Sequence, residues 1–113
     1  MSETYELFQL GRAHLRNGMA AQATVPLEKA KRAEPTSRSI REALGIAYFR
    51  IGRWKEAEAE FRALVELAPA DEFAHYALGR ALVNQGRREE ATPHIKLGRA
   101  LRPRTPADAD TLE

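Results

Sequence analysis

A chain of 113 residues with 43% hydrophobic side chains and a formal charge of +2 has room for one domain and a modest core. It holds no cysteine, which excludes a disulfide framework, a thiolate metal site and a cysteine nucleophile. Met1-Ser2-Glu3-Thr4 begins no charged-then-apolar signal region and no long apolar run follows, so a cytoplasmic chain without membrane insertion is expected.

Apolar residues spaced three and four apart predict six helices and no strand, at about 4-17, 20-33, 38-51, 54-67, 72-85 and 88-101. The first pair is separated by Gly18, and Pro26 stands early in the second helix, where one lost hydrogen bond predicts a mild bend rather than a break. In the middle pair, Ile40, Leu44, Ala47, Tyr48 and Ile51 form one stripe, interrupted by Gly52. Trp54, Ala57, Phe61, Leu64, Val65 and Leu67 form the next, stopped by Pro69 because proline lacks an N–H and restrains Ala68. Ser37 and Asp71 follow Pro35 and Pro69 as N-caps of the third and fifth helices. The last helix holds Pro93, placed much as Pro26 is. Beyond Pro103, residues 106-113 read either as an acidic tail with Asp108, Asp110 and Glu113, or as a short helical cap begun by Thr105 and Pro106 and packed by Leu112.

These elements recur with a period of 34, and six columns are identical in three copies: Leu10/Leu44/Leu78, Gly11/Gly45/Gly79, Ala13/Ala47/Ala81, Gly18/Gly52/Gly86, Ala23/Ala57/Ala91 and Pro35/Pro69/Pro103. The units are about 4-37, 38-71 and 72-105, in a single domain spanning 1-113. One helix pair cannot bury its apolar stripe alone, and three stacked units are about the minimum for a continuous core. Gly11, Gly45 and Gly79 lie inside helices, where glycine costs about 1 kcal/mol relative to alanine, so their recurrence implies close helix approach. The Ala23/Ala57/Ala91 column is expected to supply the small partner across that contact.

The Leu-Gly pair, the downstream Ala, a large apolar residue four further on and the closing Pro, all at period 34, resemble the tetratricopeptide repeat (TPR) family over residues 4 to 103. The middle unit matches best, with Leu44, Gly45, Tyr48, Ala57, Phe61 and Pro69; His14 and Leu82 stand where it has Tyr48, and Leu27 and Ile95 where it has Phe61. The resemblance implies an all-α fold, a right-handed superhelical solenoid of three helix-turn-helix units, that serves as a non-catalytic protein–protein interaction module. It also implies a concave groove lined by the first helix of each unit. Carried over column by column, that groove comprises Tyr5, Phe8, Arg12, Leu15 and Arg16, then Ser39, Glu42, Ile46, Phe49 and Arg50, then Phe73, Tyr76, Arg80, Val83 and Asn84. Some members clamp a chaperone's terminal carboxylate with Lys, Asn and Arg, but the matching positions here are Phe8, Arg12, Ala43, Phe73 and Ala77, so that clamp is not implied.

The groove set mixes aromatics with arginines on one helical face, the composition of binding hot spots. Leu15, Ile46, Phe49 and Val83 read as core packing against neighbouring first helices rather than as groove, whereas Tyr5, Phe8, Phe73 and Tyr76 form a second aromatic stripe that is exposed unless a partner covers it. Arg12, Arg16, Arg50 and Arg80 outnumber Glu42, which favours an acidic peptide or helical segment of another protein with apolar anchors. Two other readings are self-assembly into homo-oligomers through the terminal repeats, where Leu97 and Leu101 end the array, and nucleic-acid binding through the 14 arginines. Interleaved acids leave no basic stripe, which makes nucleic acid the weaker of the two. No catalytic, cofactor-binding or metal-binding set is expected: His14, His75 and His94 fall in different columns, the glycines are isolated, and Glu56, Glu58 and Glu60 read as a solvated helix face.

Overall fold

Six helices account for most of residues 2–102, the part of the chain that the computed structural model describes: α1 (Glu3–Arg16), α2 (Ala20–Ala33), α3 (Arg38–Arg50), α4 (Trp54–Leu67), α5 (Glu72–Val83) and α6 (Arg88–Leu101). They begin and end within two residues of the spans expected from periodicity, and the proposed cap at 106-113 lies outside the described residues. Local chemistry sets the boundaries. Ser2, Ser37 and Asp71 accept the backbone N–H of Tyr5, Ile40 and Phe73, capping the first helix of each unit. Gly18, Gly52 and Gly86 end those helices at φ of 73°, 77° and 77°, where a side chain would be strained. The glycine turn directs the following N–H back into the helix: Met19 to the His14 carbonyl at 2.8 Å, Arg53 to Tyr48 at 2.9 Å and Arg87 to Leu82 at 2.9 Å. α2, α4 and α6 therefore start straight from these turns with no side-chain cap. Helices α2 and α6 run unbroken through Pro26 and Pro93.

Each helix packs on its neighbours in sequence, within a unit and between units, so the molecule grows along one axis. It measures 51 × 32 × 26 Å. Its radius of gyration of 15.3 Å exceeds the roughly 13 Å of a compact domain of this length, as a solenoid should. Phe61, Leu27, Leu44, Leu64, Leu78 and Leu82 are its largest fully buried side chains. Among the described residues no helix is long and apolar enough to cross a membrane.

Two sequence expectations need correction. The nearest neighbour of each helical glycine is not the alanine column but the large residue four further on: a methyl group on Gly11 would strike the side chain of Leu27, on Gly45 that of Phe61, and on Gly79 that of Ile95, with the Ala91 carbonyl next at 3.4 Å. The large residue of the second helix lies directly on the glycine backbone of the first. Ala23, Ala57 and Ala91 are fully buried as small core residues beside that contact. Nor are the α4 carboxylates a solvated face, since Glu58 and Glu60 are only 8% and 4% exposed. The central helix of a stack has neighbours on both sides, and each carboxylate is met by bases from other elements. Glu60 bonds Lys31 of α2 and Arg41 of α3, both at 2.9 Å; Glu58 bonds Arg62 at 2.8 Å and Arg87 at 2.6 Å and accepts from Gln85 at 2.9 Å. Burial pushes the Glu58 carboxyl up, but these hydrogen bonds outweigh it and hold it below the usual carboxylate range. Glu56, at the edge of the same run, pairs with Arg53.

Candidate interaction groove

Three hollows share lining residues and run into one another, the first two between the first helices of successive units and the third between α5 and α6. The first, about 360 Å³, lies between α1 and α3 and brings together Phe8, Arg12, Arg16, Glu42 and Arg50 with Leu15 and Ser39. Ile46 and Arg50 continue into a central cup of about 180 Å³, floored by Phe61 and walled by Phe49, Phe73, Tyr76 and Arg80. Phe73 and Tyr76 in turn border a third hollow of about 410 Å³ with Glu72, Gly98, Arg99 and Arg102.

Twelve of the fifteen expected groove residues thus meet in the first two hollows, and Val83 packs against the core instead. Tyr5 and Asn84 line none of the three: Tyr5 is 51% exposed elsewhere on α1, and Asn84 caps the end of α5. The expected division between core and groove is also blurred. Phe8 and Phe73 are half-buried against the core, as are Leu15, Ile46, Phe49 and Val83, while Tyr76 stays 41% exposed. A groove floor in a thin solenoid is the outer surface of the core, so one aromatic serves both. Phe73 shows this, meeting Phe61 edge-to-face with centroids 6.0 Å apart.

The arginines of the groove differ from those elsewhere. Arg41, Arg53, Arg62 and Arg87 are held in ion pairs. Among the described residues, Arg12, Arg16, Arg50 and Arg80 form no ion pair. Arg12 lies over the Phe8 ring at 5.6 Å, Arg80 over Phe49 at 5.7 Å and Tyr76 at 5.9 Å, and Arg50 donates to the Leu15 carbonyl at 3.1 Å. Stacking and backbone bonding fix Arg12, Arg50 and Arg80 without a salt bridge. The acid of the first hollow, Glu42, has its carboxyl raised by burial and by the Asp71 charge, with Arg12 pulling the other way.

The third hollow was missed in the sequence because its cations come from a second helix. The available signal was Gly98, which replaces Leu64 of the middle unit: a methyl group there would lie 3.1 Å from the Glu72 carbonyl oxygen and the Tyr76 nitrogen, so α6 sits close against α5.

The family model described as bacterial transcriptional activator domain matches residues 22–101. Among solved structures, MamA AMB-1 superposes with a TM-score of 0.83 at 30% identity, over 87% of this chain and 58% of the MamA chain. The first TPR of Spaghetti (RPAP3) bound to an HSP90 peptide superposes with a TM-score of 0.83 at 22% identity, over 97% of this chain and 87% of that one. The Yersinia enterocolitica type III secretion translocator chaperone SycD, an alternative dimer, gives 0.82 at 14% identity, over 96% and 83%. The latter two likenesses concern fold alone. The chain spans just over half the length of MamA AMB-1, and no curated protein sequence matches it.

Proposed function

From the premise that the chain belongs to the bacterial transcriptional activator domain family and is a tetratricopeptide-repeat solenoid, we propose that it is a non-catalytic interaction module that takes an acidic peptide or helical segment of a partner protein into its concave groove. The observation that carries this reading is the set of groove guanidiniums, Arg12 and Arg80 held on rings, Arg50 on a backbone carbonyl and Arg16 beside them, none in an ion pair among the described residues. A desolvated carboxylate arriving there gains charge-assisted hydrogen bonds without having to displace an existing ion pair. The relative solved with an HSP90 peptide shares the fold, which supports a peptide-sized ligand for this architecture.

Direct nucleic-acid contact is less well supported, because several of the arginines that suggested it are engaged in pairs with Glu56, Glu58, Glu60 and Glu90. Self-assembly keeps a favourable observation in each terminal repeat: Leu10 is 49% exposed, whereas Leu44 and Leu78 in its column are 0% and 1%, and Leu97 is 43% exposed.

The test is a pull-down with wild type beside Arg12→Glu with Arg80→Glu. Both arginines are exposed. The double variant is expected to lose the captured partner and keep its thermal midpoint; capture that persists unchanged would refute the groove as the site.

A further inference from the structure

The first hollow and the central cup differ in chemistry, and their order constrains a ligand. Between α1 and α3, three guanidiniums, Arg12, Arg16 and Arg50, stand with one carboxylate, Glu42, and none of the three is in an ion pair among the described residues. Between α3 and α5, the cup is floored by Phe61 and walled by Phe49, Phe73 and Tyr76, with Arg80 lying over two of those rings. Among the described residues no carboxylate lines it. Its volume of about 180 Å³ is well under the roughly 300 Å³ where small-molecule sites begin, so it suits one bulky side chain. Only α3 separates the two, through Ile46 and Arg50, which line both. Hollows on either side of one helix lie about one interhelical spacing apart, roughly 10 Å. An extended chain covers that in about three residues.

We propose that the groove reads an extended two-part segment: one large side chain of the Leu, Met, Phe or Trp kind seated in the cup between α3 and α5, and Asp or Glu about three residues away in the hollow between α1 and α3. This deepens the preceding proposal and rests on it. A segment this short does not hold a helix by itself, so it enters extended. Burying the anchor supplies affinity, because the cup's walls are rings. The acid supplies register: its carboxylate gains charge-assisted hydrogen bonds from Arg12, Arg16 and Arg50, and it reaches them only from the α1 side of the anchor. Glu42 opposes a carboxylate set against it, so this one side chain limits how tightly an acid is held.

The experiment is selection of short random peptides, displayed on phage, against the full chain. Peptides that pair one bulky apolar residue with an acid about three residues from it should be enriched. In a selected peptide, Ala at the anchor or Lys at that acid should each weaken binding by about tenfold or more, whereas acids on the other side of the anchor should be replaceable with little loss. The variant Arg12→Glu with Arg16→Glu, both at exposed positions, should lose the selected peptide and gain its Lys version. Tyr76→Ala, which opens the cup at an exposed position, should weaken the selected peptide and leave its Ala-anchor version unchanged. Glu42→Gln should tighten the selected peptide and not its Lys version. Enriched acidic peptides that lack the anchor or place it at another spacing, an acid indifferent to the reversal at Arg12 and Arg16, or no gain from Glu42→Gln would overturn this inference and leave the groove reading standing. If no acidic peptide is enriched, both fall.

Discussion

At the scale of single residues, the two junctions of the stack solve one problem with different chemistry. In the second unit, Arg41 bonds the Pro35 carbonyl and Glu60 at once, both at 2.9 Å. Thirty-four residues on, His75 and His94 hold the same columns. The Nε2–H of His75 donates to the Pro69 carbonyl at 2.7 Å, its Nδ1 has no hydrogen-bond partner among the described residues, and its ring lies 5.9 Å from that of His94. A salt bridge has become an imidazole pair. Facing it from α4 is the Arg62 guanidinium, itself drawn toward Glu58 and Glu90. Burial, then His75, then Arg62 hold the His94 imidazole below its ordinary value of 6.5. The unfolded chain then binds this proton more readily than the folded one, so the contribution is fully present above about pH 6.5 and is lost as pH falls toward the lower folded value. Thermal midpoints measured between pH 7 and pH 5 should fall for wild type. The variant His75→Arg with His94→Glu, which copies the middle unit's pair, should flatten that decline; an unchanged slope would place the titration elsewhere. The pair was invisible in the sequence because the histidines share no column. It becomes legible only once Arg41 and Glu60 are known to touch.

At the scale of the helix pair, packing overrides propensity. Ala at position 45 should favour an isolated helix by about 1 kcal/mol, yet its methyl would collide with the Phe61 ring, which lies on the glycine backbone and is 2% exposed. Overpacking costs about 1–3 kcal/mol, so Gly45→Ala should be destabilising on balance in urea denaturation. A double-mutant cycle with Phe61→Leu should show coupling between the two sites, whereas additive effects would mean that the ring is not what glycine admits. The helices themselves were legible: caps at Ser37 and Asp71, stops at Gly52 and Pro69, and a sustained 34-residue phase leave little freedom for boundaries. What touches the glycine was not, because periodicity shows that a residue faces inward without showing which neighbour it meets. The same limit hid the burial of Glu58 and Glu60. Alternation with alanine on α4 resembles a wet face until α2, α3 and the turn before α6 bring Lys31, Arg41 and Arg87 to it.

At the scale of the whole molecule, a solenoid's stability is a sum of units and the interfaces between them, so one column can carry different weights along the array. Leu44 and Leu78 are enclosed by the unit before them, while Leu10 at the same column is half exposed, with Glu6 and Gln9 beside it where the middle unit has Ile40 and Ala43. Replacing Leu44 by Ala should therefore cost roughly 2–5 kcal/mol as a cavity in the core, and Leu10→Ala should stay within about 0.5–1 kcal/mol. Chemical denaturation of the two variants measures the difference directly. Light scattering then decides what the exposed leucine does. If copies stack end to end through it, the wild-type mass should rise with concentration and Leu10→Glu should abolish the rise; a constant monomer in both would refute self-assembly at this face. The polar Glu6 and Gln9 already weaken this face as a stacking surface, so the expected outcome is a monomer whose groove is left for another protein.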